Sequence, residues 1–357
     1  MTQLPYNRGM TQLALLLPYA LPQKELARDL LRELKTPALA TLLGRGDLTE
    51  HQIFDGFARS LPHEAWLAQQ FGLSSIGDTS PAAARNAMAA HDLTGTDGAW
   101  FILQPVHLHI ARDHLVLTDP QQLQLSEEDA RSLFDVVQPL FAETGQTLLY
   151  GDAQTWFLRA DELSTLQTST PGAACGHNID IWMPKGEKAR DWRRLQNEVQ
   201  MHWHAHSTNE AREMRGLKPV NSVWLWGATS SCNAVPTQKF EETFSLSTER
   251  NPLVATALRQ RAVSSAAELL ATHPQHGLLT LDSLIAPAMA GDWSEWLMRM
   301  QAMESIWFAP LLEALKNGQL DQLSITLSNN IALSTITNSK SSLRKFWRKA
   351  SLTRLAP

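Results

Sequence analysis

Apolar positions near the start of the chain fall in one unbroken block, Leu13 to Leu17, stopped by Pro18 and Pro22. Five continuous apolar residues bounded by prolines predict a short buried strand. Helical spacing follows over residues 24–34 and 37–43, the second pattern ending at Gly44. It returns over 49–71, where Ile53, Phe54, Phe57, Trp66, Leu67 and Phe71 supply the apolar anchors. After a loop-like stretch at 74–80, an Ala-rich helix is predicted over 82–90. The texture changes past Gly98. Residues 99–118 hold two β-rich runs around Ala111-Arg112-Asp113-His114, which predicts a hairpin. Residues 126–141 read as an amphipathic helix opened by Ser126 and Asp129, and 147–150 and 155–159 as strands. From Thr237 onward helices resume with short apolar strands, notably at 276–281 and 323–327.

The most informative stretch is 187–227. Trp192, Leu195, Val199, Trp203 and His206 recur at three and four, so a long helix should end near His206. Ser207-Thr208-Asn209-Glu210 has the form of a capping box, restarting a helix that stops at Gly216. Residues 219–226 then form a strand with Val220, Ser222, Trp224 and Trp226 on one face and Asn221 on the other. This gathers His206, Asn209, Arg212 and Asn221 around two element ends. Such a grouping suits an anionic, hydroxylated ligand, with Arg212 pairing bidentately to phosphate or carboxylate and the amides reading hydroxyls. Helix caps and structural hydrogen bonds account for the same residues equally well.

Composition narrows the picture. A length of 357 residues suggests two domains, or one large domain with an insertion. With 31 Lys+Arg against 36 Asp+Glu the net charge is −5, which argues against a phosphate-tracking nucleic-acid surface. Two cysteines, Cys175 and Cys232, cannot form a disulfide framework and fit a reducing cytosol, so a cytoplasmic location is expected. The early apolar run is far shorter than the roughly 20 residues of a membrane span, and neither a span nor a secretory signal is expected. Met10 is an alternative start. The economical reading is an α/β core, residues 1–90 and 228–357, interrupted by a smaller α+β domain over 91–227.

His206, Asn209, Arg212, Gly216, Pro219, Asn221 and Trp224-Leu225-Trp226-Gly227 resemble a segment closing the substrate domain of archaeal-type cofactor-independent phosphoglycerate mutases, members of the alkaline phosphatase superfamily. Ser207 and Thr208 depart from that pattern. Lys35-Thr36-Pro37-Ala38-Leu39, residues 98–107 and His177-Asn178-Ile179-Asp180 carry weaker similarity to other parts of the family. The chain also resembles the RpfE-type bacterial regulatory proteins, whose label implies regulation without a mechanism. The resemblance implies an alkaline-phosphatase-like core and, in the enzymes, two divalent metals that activate a serine nucleophile. Here the metal-ligand positions do not match. Leu15-Leu16-Leu17 runs into Pro18-Tyr19 where the enzymes have Asp-Gly. The nucleophile position falls on Pro62 of Pro62-His63-Glu64-Ala65-Trp66, with Ser60 the nearby hydroxyl. The late Asp-His pair is replaced by Ser328-Asn329-Asn330, another cluster is thinned to Asp292, and His273 and His276 are the histidines left in 228–357.

Other chemistry is weaker. His202 and His206 stand four apart on one predicted helical face, but Trp203 occupies the place where a zincin has its Glu. His107, His109 and His114 flank the hairpin and read as a solvated or stacked face. Residues 338–357 carry Lys340, Arg344, Lys345, Arg348, Lys349 and Arg354 with no acid, around Phe346 and Trp347. An acidic partner or an anionic membrane surface would suit this tail, although a C-terminal helix with its aromatic face on the core is the preferred expectation. The expected function is a degenerate, metal-free relative of the mutase with a binding or regulatory role, no catalytic residues and no cofactor. Candidate partners are a small anionic metabolite and a protein, and no nucleic acid. The alternatives are an active mutase or phosphohydrolase with relocated ligands, and a protein–protein scaffold.

Overall fold

The computed structural model describes residues 11–73, 77–95, 97–229, 240–246, 251–254 and 258–356. Two compact units emerge: the first comprises Met1–Asp55, Gln238–Glu249 and Leu258–Pro357, the second Gly56–Thr237 and Arg250–Ala257. The described strands, in chain order, are β1 (Gln12–Leu17), β2 (Asp47–Ile53), β3 (Trp100–Val106), β4 (Leu108–Ala111), β5 (His114–Leu117), β6 (Thr147–Asp152), β7 (Thr155–Arg159), β8 (Ser222–Thr229), β9 (Glu242–Ser245), β10 (Arg259–Ala262), β11 (His276–Thr280), β12 (Gln322–Ser328) and β13 (Ala332–Ser339).

The first unit is built on a seven-stranded mixed sheet in the order β10-β9-β11-β1-β12-β13-β2. Strand β1 lies at its centre, parallel to both β11 and β12. A strand covered on both faces has no solvent side, which is why the block Leu13 to Leu17 is apolar throughout rather than alternating. Leu13, Leu15 and Leu17 on one face join a core with Leu279, Ile325 and Leu327 and with Leu39, Leu42, Trp296 and Leu311 from the helices Pro37–Arg45, Trp293–Met303 and Ala309–Asn317, while Ala14 and Leu16 are buried on the other face. Between the last two helices runs a π-turn, Glu304–Phe308. Its Glu304 carboxylate accepts from the N–H groups of Ala38 (2.5 Å) and Leu39 (3.3 Å), capping the helix Pro37–Arg45 with negative charge where the helix dipole favours it.

The helix expected over 49–71 is not formed. Residues Asp47–Ile53 are an edge strand, antiparallel to β13, and the helix is confined to Pro62–Gln70. Most of β2 is exposed, so no apolar pattern marked it; the backbone ladder to β13 decides its state. The tail expectation also fails. The last α-helix described is the short Lys340–Leu343, and beyond it Phe346 and Trp347 face solvent instead of packing on the core.

The second unit carries a four-stranded antiparallel sheet, β6-β7-β3-β8. The helices Glu127–Glu143 and Ala189–His204 pack on it through Leu133, Val137, Phe141, Trp192, Leu195, Val199 and Trp203, which share a core with Phe101, Leu103, Trp156 and Leu225. Ser126 caps the first helix by accepting from Asp129 N at 3.1 Å, as its sequence implied. Strands β4 and β5 make the predicted hairpin, with Arg112 at φ 62° in the turn, while β3 belongs to the larger sheet. Residues 56–90, read from sequence as core, fall in this unit, and the helix Ala84–Ala90 lies against β3 and β8. The fold class stands as expected in its architecture: a mixed-sheet α/β core interrupted in the chain by an α+β unit.

Candidate functional site

His206, Asn209, Arg212 and Asn221 are each engaged where a chain segment must be joined to another. His206 is itself the N-cap of the helix Ser207–Met214, its Nδ1 accepting from Thr208 N at 3.3 Å; the cap therefore lies one residue before the Ser207 expected. Asn209 is buried and behaves like an extra rung of sheet. Its Oδ1 accepts from Val220 N (2.8 Å), and its Nδ2 donates to Val220 O (2.8 Å) and Trp203 O (2.9 Å). Asn221 does the same beyond the end of the β3–β8 ladder, its Oδ1 accepting from Leu108 N at 2.8 Å and its Nδ2 donating to Leu108 O at 2.7 Å.

Arg212 is 0% exposed. Its Nε donates to Lys218 O at 3.0 Å, Nη1 to Asp129 Oδ2 at 3.0 Å and to Gln124 O, and Nη2 to Leu123 O. The guanidinium fork thus closes the loop before Lys218 and the turn at Leu123 onto the helix start at Asp129. Asp129 also accepts from Arg215 Nη2 at 2.9 Å. Burial pushes its carboxyl up, but the hydrogen bonds from Arg215 and Arg212 outweigh that and hold it below the usual carboxylate range. An anion would have to displace Asp129 and three carbonyls to reach this fork.

In a sheet of this topology a ligand site is sought at the carboxyl ends of the parallel strands. Here β1 runs into Pro18 and Tyr19, the latter at φ 58° with its carbonyl accepting from Trp296 Nε1 at 2.9 Å. Leu21 N donates to Ser328 O, drawing the apolar turn after β1 onto the end of β12. Asn329, at the position the resemblance gives to the Asp-His pair, shapes the β12–β13 turn: its Oδ1 accepts from Ile331 N (2.9 Å) and Ala332 N (2.7 Å). Asp292 is likewise a helix cap, accepting from Glu295 N at 3.0 Å. His276 opens β11, opposite Gln12 at the amino end of the sheet, and His273 sits just before it. Both are at the wrong edge. One carboxylate that sequence reasoning missed does follow a parallel strand. Asp282, two residues past β11, is half-buried and its pKa is raised by burial. Its signal was an acid directly after an apolar strand.

Among the described residues no three His, Cys, Asp or Glu side chains are grouped so as to hold a metal. His202 and His204 are exposed and His206 lies outside their helix, so the three do not share a face. His107 and His109 stack at 6.0 Å, and His107 Nδ1 donates to Pro219 O at 2.8 Å. Cys175 is buried with its thiol pushed up to about 12 by burial, which makes it inert; Cys232 lies outside the described residues.

At the position the resemblance gives to the nucleophile, Pro62 is the first residue of a nine-residue helix. Beside it burial drives His63 down to about 4 and Glu64 up to about 7. Such opposed shifts mark candidate acid–base pairs. Glu64 Oε2, however, accepts from Leu61 N (2.8 Å) and from the fully buried Thr170 hydroxyl (2.5 Å), and Thr170 Oγ1 in turn caps the turn Pro171–Ala174. The carboxyl caps the helix start from within, satisfying the backbone N–H of the N-cap residue Leu61.

No family model matches the chain, and no curated protein matches it. Two solved structures are similar over most of its length. A cofactor-independent phosphoglycerate mutase from Thermoplasma acidophilum is 11% identical, with 97% of this chain and 94% of that chain covered at a TM-score of 0.43. The PH0037 protein from Pyrococcus horikoshii is 12% identical, with 93% and 88% covered at a TM-score of 0.50. The second likeness is one of fold.

Proposed function

We propose that this chain is a catalytically degenerate protein on a phosphoglycerate-mutase-like scaffold, akin to the RpfE-type regulatory proteins, that acts by binding. The observation that carries this reading is the donor set at the carboxyl edge of the core sheet. At the positions to which the resemblance assigns metal-ligand carboxylates and a histidine, this chain has Pro18-Tyr19 and Ser328-Asn329, and Asn329 is committed to a turn. Among the described residues no hard or borderline ligands are grouped so as to hold an ion that would lower a hydroxyl's pKa or neutralise a transferring phosphoryl group. In the same reading His206, Asn209, Arg212 and Asn221 join helix to strand, which favours a surface-binding, scaffold-like role over capture of a small anion at Arg212. The half-buried Asp282 favours the rival reading, an enzyme with relocated ligands.

Elemental analysis and a coupled mutase assay with added Mn²⁺ separate the two. The expected result is no stoichiometric metal and no turnover above background. About one or two metals per chain, with turnover that Asp282→Asn abolishes, would overturn the proposal.

A further inference from the structure

The end of the chain is firmly held, yet it keeps two of its largest apolar side chains in water. Lys345 Nζ and Arg348 Nη1 reach the Asp47 carboxylate at 2.7 and 2.8 Å. Arg354 Nη1 donates to the carbonyls of Leu43 (2.7 Å) and Gly46 (3.0 Å), and Ser351 N donates to Ala40 O (2.9 Å). The backbone passes so close to the helix Pro37–Arg45 that a Cβ on Gly44 would collide with Lys349 O. Between these anchors Phe346 is 83% and Trp347 68% exposed, their rings edge to face at 5.2 Å. Each ring forgoes burial of an aromatic side chain, an arrangement that points to a surface that covers them.

The surrounding charge says which surface. The run Arg344-Lys345-Phe346-Trp347-Arg348-Lys349 brackets the rings with two cations on each side. Asp47 offsets one of the four charges, and Arg344 and Lys349 are exposed with no ion pair among the described residues. A local excess of three positive charges therefore surrounds the rings on a chain whose net charge is −5. A protein partner would desolvate these cations along with the rings, and each unpaired one would cost it affinity. An anionic lipid surface has no such penalty: rings enter at headgroup depth while the long basic side chains stay among the phosphates.

We propose that residues 344–349 form a pinned interfacial anchor that docks the protein on anionic membrane surfaces. It goes beyond the binding role argued above and holds whether or not the core has chemistry. Each basic residue near such a surface multiplies partitioning by about five, so three net charges predict roughly 10²-fold preference for anionic over neutral vesicles.

The test is co-sedimentation of the full chain with phosphatidylcholine–phosphatidylserine vesicles and with phosphatidylcholine alone. Wild type should bind the first preferentially, the preference shrinking as salt rises. Arg344→Ala with Lys349→Ala should weaken binding about 25-fold. Phe346→Ala with Trp347→Ala should weaken it by at least about tenfold, through lost ring insertion. Because these side chains lie largely in solvent, melting temperatures should not move, so lost binding cannot be ascribed to unfolding. Equal binding to both vesicles, no binding to either, or binding that survives the ring variant would overturn the proposal. So would a self-associating or acidic-protein-bound wild type whose complex, rather than vesicle binding, the ring variant destroys.

Discussion

Arg212→Ala is the sharpest test of how the second unit is held together. In the folded chain the guanidinium has no solvent contact and joins Asp129, Lys218, Gln124 and Leu123. Removing it leaves three carbonyls without their donor and a cavity the size of a long side chain. Breaking a buried, hydrogen-bonded ion pair costs about 3–5 kcal/mol. Asp129 keeps Arg215 at 2.9 Å, which places the expected loss toward the lower end. At about 2–4 °C per kcal/mol for a unit of this size, the melting temperature should fall by roughly 6–20 °C. Arg212→Lys keeps the charge but offers one ammonium in place of a four-way fork, and should recover less than half the loss. Scanning calorimetry reads the stability, and isothermal titration of a phosphorylated carboxylic acid into the same samples reads any anion site. A melting curve unchanged from wild type, alongside anion affinity lowered roughly 10- to 150-fold by loss of one charge-assisted contact, would refute the structural account and restore the ligand one.

Other expectations concern neighbouring elements. Asn209→Leu keeps the volume but orphans both Val220 backbone groups, so chemical denaturation should show a loss of about 1–3 kcal/mol per orphaned group. Glu64, raised by burial from 4.5 to about 7, holds a proton in the folded chain that the unfolded chain has lost, so its contribution falls as pH rises from about 4.5 to 7. His63, lowered from 6.5 to about 4, contributes stability that rises from about pH 4 to 6.5. Glu64→Gln removes the first and should leave urea-unfolding stability rising across pH 4–6.5; a flat profile in that variant would discount the His63 shift. Gly44→Ala forces its new methyl against Lys349 and Ser351 backbone atoms, and limited proteolysis should then cut the C-terminal segment faster than in wild type.

Local chemistry was enough to read much of this protein. The block Leu13 to Leu17 could be read as a buried strand because a strand sandwiched on both faces must be apolar throughout. Ser126, the Ala189–His204 stripe and the Gly216 stop were legible because caps and helical periodicity act within a few residues. The same holds for the four polar residues near His206: the sequence indicated that they gather at element ends. Whether they face a ligand or one another depends on Asp129, Leu123 and Leu108, a hundred or so residues away, and only the folded chain brings those groups within hydrogen-bond reach. Strand β2 was invisible for a related reason. Its side chains are mostly solvated, and its state is set by backbone pairing with β13, nearly three hundred residues later. The exposed Phe346 and Trp347 complete the contrast. Aromatic residues in a basic tail suggest packing on a core, but ion pairs to Asp47 and the close passage at Gly44 hold their backbone where the rings can only point outward. Periodicity and caps record short-range physics. Partners distant in sequence, and the burial they create, are properties of the tertiary structure alone.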